Sequence, residues 1–158
     1  SGSGKSTLAQ VLGERHGVPV CDLDRLQWGG AYGQRRPKAE RAALLREVLS
    51  QEDWIIEGVY YAWTAETFAR ADASCLLEPP LALCRRRVIR RYYRRKRDGS
   101  GHGETLRSLR ALLRWMDSFQ TRNLQAIREV LAPYAGKTLR VTEAMPTEDI
   151  LAALEDIL

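Results

Sequence analysis

The sequence predicts an α/β fold, a mostly parallel sheet with helices on both faces. Two observations predict it. Short apolar runs, each closed by an acid, a glycine or a proline, alternate with amphipathic stretches along the whole chain. The chain also opens on Ser1-Gly2-Ser3-Gly4-Lys5-Ser6-Thr7, the back half of the phosphate-binding pattern G-x-x-x-x-G-K-S/T, and Leu8, Val11 and Leu12 continue it at helical spacing.

Each residue type in the opening stretch has a physical job. Gly2 and Gly4 let the backbone curl until successive N–H groups, Ser3 included, face one concavity suited to anionic oxygens. Lys5 reaches β- and γ-phosphates as a point charge. The Ser6 hydroxyl is the candidate Mg²⁺ ligand, with Thr7 beside it. The helix that follows aims its positive end at the same anion. A disordered Gly/Ser start is the alternative, and the apolar spacing up to the stop at Gly17-Val18-Pro19 argues against it. The first glycine of the pattern would lie two residues before Ser1, and a central strand is expected to precede it. The expectation is therefore that the working protein starts earlier than Ser1.

The chain has 158 residues, 44% hydrophobic and 28% charged, which suggests one domain, 1–158, able to bury a proper core. No apolar run approaches a membrane span. Cys21, Cys75 and Cys84 stand in apolar contexts and form no C-x-x-C pair, so they read as core hydrophobes of a cytoplasmic protein. The net charge of +5 is local: residues 85–97 hold nine Arg or Lys and no acid. The other 16 basic residues are outnumbered by 20 acidic ones. A concentrated anion site fits this better than a generally basic surface.

In order, residues 5–16 form the first helix. Val18-Pro19-Val20-Cys21 is a short strand ending at Asp22-Leu23-Asp24, and carboxylates at such an end lie on the functional edge of an open sheet. Residues 28–36 form a loop able to cover a substrate, closed by Pro37. Residues 38–51 form a helix with Leu44, Leu45, Val48 and Leu49 inward. Trp54-Ile55-Ile56-Glu57-Gly58 is a buried strand, residues 63–70 a short helix, and residues 73–77 another strand stopped by Pro79-Pro80. Leu81, Cys84, Val88 and Tyr92 mark an arginine-coated helix. Residues 98–103 are a glycine-rich break. From Glu104 to about Leu131 a long helix, kinked or split, is expected. Thr138-Leu139-Arg140-Val141 is the last strand, and Thr147 caps a final helix with Ile150, Leu151, Leu154 and Leu158 inward.

The phosphate loop implies a nucleoside triphosphate with Mg²⁺. Glu57, at the end of an apolar strand, is where such a protein keeps the acid that holds a Mg²⁺-bound water. A carboxylate that merely caps the next turn is the alternative. Together these residues resemble the adenylate-kinase-like P-loop kinases of small molecules, closest to the small bacterial family named DNA topology modulation proteins (the FlaR type). The resemblance rests on S-G-S-G-K-S-T, Leu23-Asp24 with Trp28, Trp54 to Tyr60, Arg70-Ala71-Asp72 and the arginine-rich helix. It implies a P-loop NTPase three-layer sandwich with a helical lid over about 85–122, and ATP as cofactor.

By the same resemblance, Arg87 packs against adenine and Arg91 contacts phosphate. Arg107 and Arg110 compete to reach the transferred phosphoryl from the lid exit, and Arg122 is a further, unranked candidate. Lys5, Asp24, Arg91 and Arg107 form the catalytic set, and Asp24 orients or deprotonates the acceptor. Asp22 is a second candidate near the metal. Trp28 and Tyr60 either wall the acceptor site or pack. Glu57 replaces the family's commoner Asp. The other basic residues of the helix, Arg85, Arg86, Arg94, Arg95, Lys96 and Arg97, read as a solvated face. His102 reads as a lid-tip residue and His16 as a helix-end residue. The rival reading is a nucleotide-binding regulator of DNA topology that holds DNA on the basic helix, and a third is a catalytically dead nucleotide binder. The acceptor, nucleoside or nucleotide among the candidates, and the choice between monomer and homodimer stay open. No base-reading motif of a GTPase is present.

Overall fold

A computed structural model describes residues 1–29, 34–101 and 103–158. In chain order they form α1 (Lys5–His16), β1 (Val20–Asp22), α2 (Leu23–Gln27), α3 (Lys38–Leu49), β2 (Ile55–Glu57), α4 (Ala65–Arg70), β3 (Ser74–Leu77), α5 (Leu81–Arg97), α6 (Leu106–Ser118), a π-helical turn (Phe119–Asn123), α7 (Leu124–Leu131), a 3-10 segment (Ala132–Lys137), β4 (Thr138–Val141) and α8 (Thr147–Glu155). His102 and part of the 28–36 loop lie outside the described residues.

The fold is α/β and its strands pair in parallel. Val20, Cys21 and Asp22 stand beside Ile55, Ile56 and Glu57, and Ser74–Leu77 runs beside Thr138–Val141. The pairs form two separate sheets, β1-β2 and β3-β4, where one sheet was expected. A cavity of about 620 Å³, lined by every residue of β2 and of β3, lies between the pairs.

Side-chain alternation on β1 and β2 supplies two faces. Cys21 and Ile56 pack with Leu23, Leu26, Leu45 and Leu49 of α2 and α3. Val20 and Ile55 approach α1 at Gly13. On the other pair, Cys75, Leu77, Leu139 and Val141 join Leu8 of α1 and Ile150, Leu151 and Leu154 of α8. Helix α1 thus spans both pairs. Cys84 and Val88, on the buried stripe expected for α5, pack against Met116 of α6. The long helix expected over 104–131 is split by a π-helical turn, where the hydrogen bonds lengthen by one residue.

Some expectations are corrected. Thr147 is the first helical residue of α8 and caps nothing; Pro146 holds the cap position. Leu158 lies beyond the helix and is 68% exposed. Asp24 stands inside α2, a helix the sequence reading did not anticipate. Among the described residues no helix is long and apolar enough to cross a membrane.

Candidate functional site

The glycines of the opening stretch do what their pattern requires. Gly2 and Gly4 hold φ of 76° and 103°, a region that side-chain-bearing residues avoid. A Cβ on Gly2 would also stand 2.6 Å from the Cys84 carbonyl oxygen. Gly4 is the N-cap of α1, and no side chain caps that end. The first-turn N–H groups therefore remain open to an anion.

Glu57, at the end of β2, converges on this turn. It accepts the Ser6 hydroxyl at 2.8 Å on Oε1 and meets the Lys5 ammonium at 2.8 Å on Oε2. The glutamate is buried, whereas Lys5 and Ser6 are more open. An acid, a hydroxyl and an ammonium thus meet at an uncapped helix end. Ser6 and Glu57 offer hard oxygens, the donor type Mg²⁺ takes, so the residues fit that ion. Among the described residues no group of three or more His, Cys, Asp or Glu could hold a metal. A Mg²⁺ here would take most of its ligands from phosphate and water.

Asp22 stands beside Glu57 in the register of β1 and β2. Its carboxylate accepts the Asp24 backbone N–H at 2.8 Å and caps α2. Burial pushes its pKa up, against that N–H bond, and the charges of Glu57 and Asp24 add to the rise. The cap gives Asp22 a structural task and turns Asp24 outward. There Asp24 Oδ1 accepts the Tyr60 hydroxyl at 2.5 Å. Burial and that hydrogen bond push Tyr60 up to about 12, so it stays a donor at neutral pH.

The arginines of α5 divide as follows. Arg87 donates to the carbonyls of Gly2 and Ser3, both at 3.3 Å, and so braces the glycine turn from outside. Arg91 is half-buried and donates to Ser1 Oγ at 3.4 Å. Burial and the neighbouring Arg95 hold its pKa below the ordinary range. Arg95 pairs with Glu104 at 2.8 Å, tying the end of α5 to the segment before α6. Arg85 corrects the reading as a solvated cation, because it holds Asp117 of α6 at 2.6 Å. Arg86 and Arg94 are exposed as expected.

Arg107 and Arg110 occupy exposed positions of α6, and Arg122 donates to Ser118 Oγ at 2.9 Å. Among the described residues none of the three is bonded to the glycine turn, Glu57 or Asp24. Thr7 is an exposed residue of the first turn of α1. Trp28 is exposed and bridges to Arg35. His16 ends α1 and faces Glu155 at 3.4 Å.

Two features escaped the sequence. The Asp24–Tyr60 bond joins residues far apart in the chain. Arg41 is 3% exposed, donates to Gln27 at 2.6 Å and lies 5.1 Å from the Trp63 ring centre. Its signal was its spacing with Leu45 and Leu49, one face of α3.

Neither a protein-family model nor a curated protein matches this chain.

Proposed function

We propose that this protein is an ATP-dependent kinase of a small molecule, built as a P-loop sandwich of the adenylate-kinase-like type. The observation that carries the reading is the convergence of Lys5, Ser6 and Glu57 on the uncapped start of α1.

In this reading the turn and the first N–H groups of α1 receive the β- and γ-phosphates. Lys5 leaves Glu57 for the phosphate oxygens, a stronger counter-charge than a carboxylate already sharing a hydroxyl. Ser6 and Glu57, the latter through water, would hold Mg²⁺. When bound, the ion spreads the charge of the transferring phosphoryl group. Asp24 receives the acceptor hydroxyl and orients its lone pair, or takes its proton, while Tyr60 fixes the carboxylate. Arg91 stands half-buried near the turn, where a guanidinium can meet charge developing on the phosphoryl. Arg87 holds the turn, and the reach of Arg107 depends on the segment between α5 and α6 closing.

One observation favours the DNA-binding reading, the exposed face of α5 with Arg86, Arg90 and Arg94. It says nothing of the Lys5–Glu57 pair, which the kinase reading uses. The test is transfer from radiolabelled ATP to a panel of nucleosides, nucleotides, sugars and small acids. The kinase reading requires Mg²⁺-dependent label on at least one acceptor, abolished in Lys5→Ala. Label on none, together with tight salt-sensitive DNA binding, would favour the regulator.

A further inference from the structure

Arg41 is a buried cation that the proposed reaction does not use. It lies on the inward face of α3 with Leu45 and Leu49, where a leucine would continue the stripe. Its partners are the Gln27 amide oxygen at 2.6 Å and the Trp63 ring, whose centre is 5.1 Å from the guanidinium carbon. Both partners are neutral. Among the described residues no carboxylate pairs with it, and residues 30–33 and 102 contain no acid. A guanidinium taken out of water without a counter-ion is costly.

Two donors at this spot are unpartnered. Arg41 Nε and Trp63 Nε1 are both buried, and among the described residues neither makes a hydrogen bond. Each is an N–H, so the group that satisfies both is an acceptor oxygen. The Gln27 oxygen already held by Arg41 is neutral. A charged oxygen binds a guanidinium more strongly and can take its place.

The spot is close to Asp24. Asp24 and Gln27 lie three residues apart on α2, so they share a face, with roughly 5–6 Å between Cβ atoms. Tyr60, which donates to Asp24, has its ring 6.1 Å from that of Trp63, which faces Arg41. Asp24, Tyr60, Trp63, Arg41 and Gln27 thus form a closed ring of neighbours. Its Asp24 end is exposed and its Arg41 end is buried. A small molecule whose hydroxyl meets Asp24 has the guanidinium about one helical turn away.

We propose that Arg41 and the Trp63 indole N–H bind an oxyanion, a carboxylate or a phosphate ester, carried by the same small molecule whose hydroxyl meets Asp24. The inference rests on the kinase reading for the fate of that hydroxyl, and it narrows the acceptor to hydroxylated anions. Neutral nucleosides and sugars fall outside the class. The Gln27 amide yields its place on Arg41 to the charged oxygen. Arg41 meets the acceptor away from the reacting hydroxyl, so its task is specificity.

The test needs no ATP. Magnetic resonance follows the tryptophan indole N–H signals, that of Trp63 being assigned by its loss in Trp63→Phe. The probes are γ-hydroxybutyrate and glycerol phosphate. Their controls are γ-hydroxybutyramide, glycerol, and sodium chloride at matched ionic strength. The proposal predicts a saturable shift of the Trp63 signal with at least one anion and with none of the controls. Binding should be at least tenfold weaker in Arg41→Met. The anion that responds tells carboxylate from phosphate ester. No response, or an equal response to an anion and its neutral counterpart, overturns the proposal. Without probe, Arg41→Met should keep or raise Tm, since it removes a buried cation without a counter-ion. A lower Tm with undiminished anion binding overturns the proposal in favour of a structural role. Should Arg41→Met not fold, Trp63→Phe replaces it, read by the rise in Tm that the anion gives. A smaller rise than in the protein itself supports the proposal, and an equal rise overturns it. Anion binding without transfer from ATP to any acceptor supports this site and counts against the kinase reading. Transfer to neutral acceptors alone, with no anion response, does the reverse.

Discussion

Glu57 ends β2 and Glu78 directly follows β3, and both are 9% exposed, yet they are partnered in opposite ways. Glu78 is clamped by two guanidinium groups. Arg128 donates to both its oxygens at 2.8 and 3.0 Å, and Arg140 donates at 2.7 Å. Burial alone would raise its pKa, but the two arginines outweigh burial and hold it below the usual carboxylate range. Glu57 has one hydroxyl and one ammonium, both from the glycine turn. A carboxylate forked by guanidiniums from α7 and β4 is a tie between elements. A carboxylate shared by a hydroxyl and a partly exposed ammonium at an anion-ready turn is a place where partners can exchange.

On that contrast the largest loss belongs to the exchanging side. Lys5→Ala is expected to abolish phosphoryl transfer and weaken ATP binding, because the β/γ charge loses its fixed counter-charge. Unchanged turnover would dispose of the phosphate-loop reading. Next comes Asp24→Asn, expected to lower kcat by roughly 10²- to 10⁴-fold with little change in ATP affinity. Tyr60→Phe should follow in the same direction with a smaller loss. A change in ATP affinity alone would move Asp24 to the metal side of the site. Arg91→Ala is expected to cost roughly 10²-fold in transfer, and Arg95→Ala little, since Arg95 is engaged with Glu104. Equal, modest effects of both on DNA affinity, with steep salt dependence, would instead favour DNA binding.

The smallest effect on activity belongs to the clamped side. Glu78→Gln should leave turnover intact and cost about 1–2 kcal/mol of stability at pH 7, discounted because both arginines are partly solvent-exposed. The folded-state pKa of Glu78 is depressed, so its contribution is present above the unfolded carboxylate pKa. It is lost as pH falls through the lower folded value. Urea unfolding of both proteins should show the gap at pH 7 and its closing in acid. A gap that widens in acid would contradict the clamp.

The clamp also shows what the sequence could and could not disclose. Periodicity placed β4, the core stripe of α5 and the start of α1, because each is a local pattern. Glu57 was legible because a strand end followed by glycine is local as well. Glu78 was not, since Arg128 and Arg140 lie 50 and 62 residues away. The same holds for Tyr60 and Asp24, 36 residues apart. Helix α2 went unread because five residues carry too little periodicity, although Asp22 was a cap signal in plain view. Arg41 was passed over because charged residues are almost never fully buried, and only the fold brings Gln27 and Trp63 against it.

The most direct test of the central claim is a calorimetric titration of ATP, with and without Mg²⁺, into the protein, Glu57→Gln and Glu78→Gln. Tighter ATP binding with Mg²⁺ is predicted for the protein and for Glu78→Gln, and loss of that Mg²⁺ dependence for Glu57→Gln. The same Mg²⁺ dependence in all three, or no ATP binding by the protein at all, would contradict it.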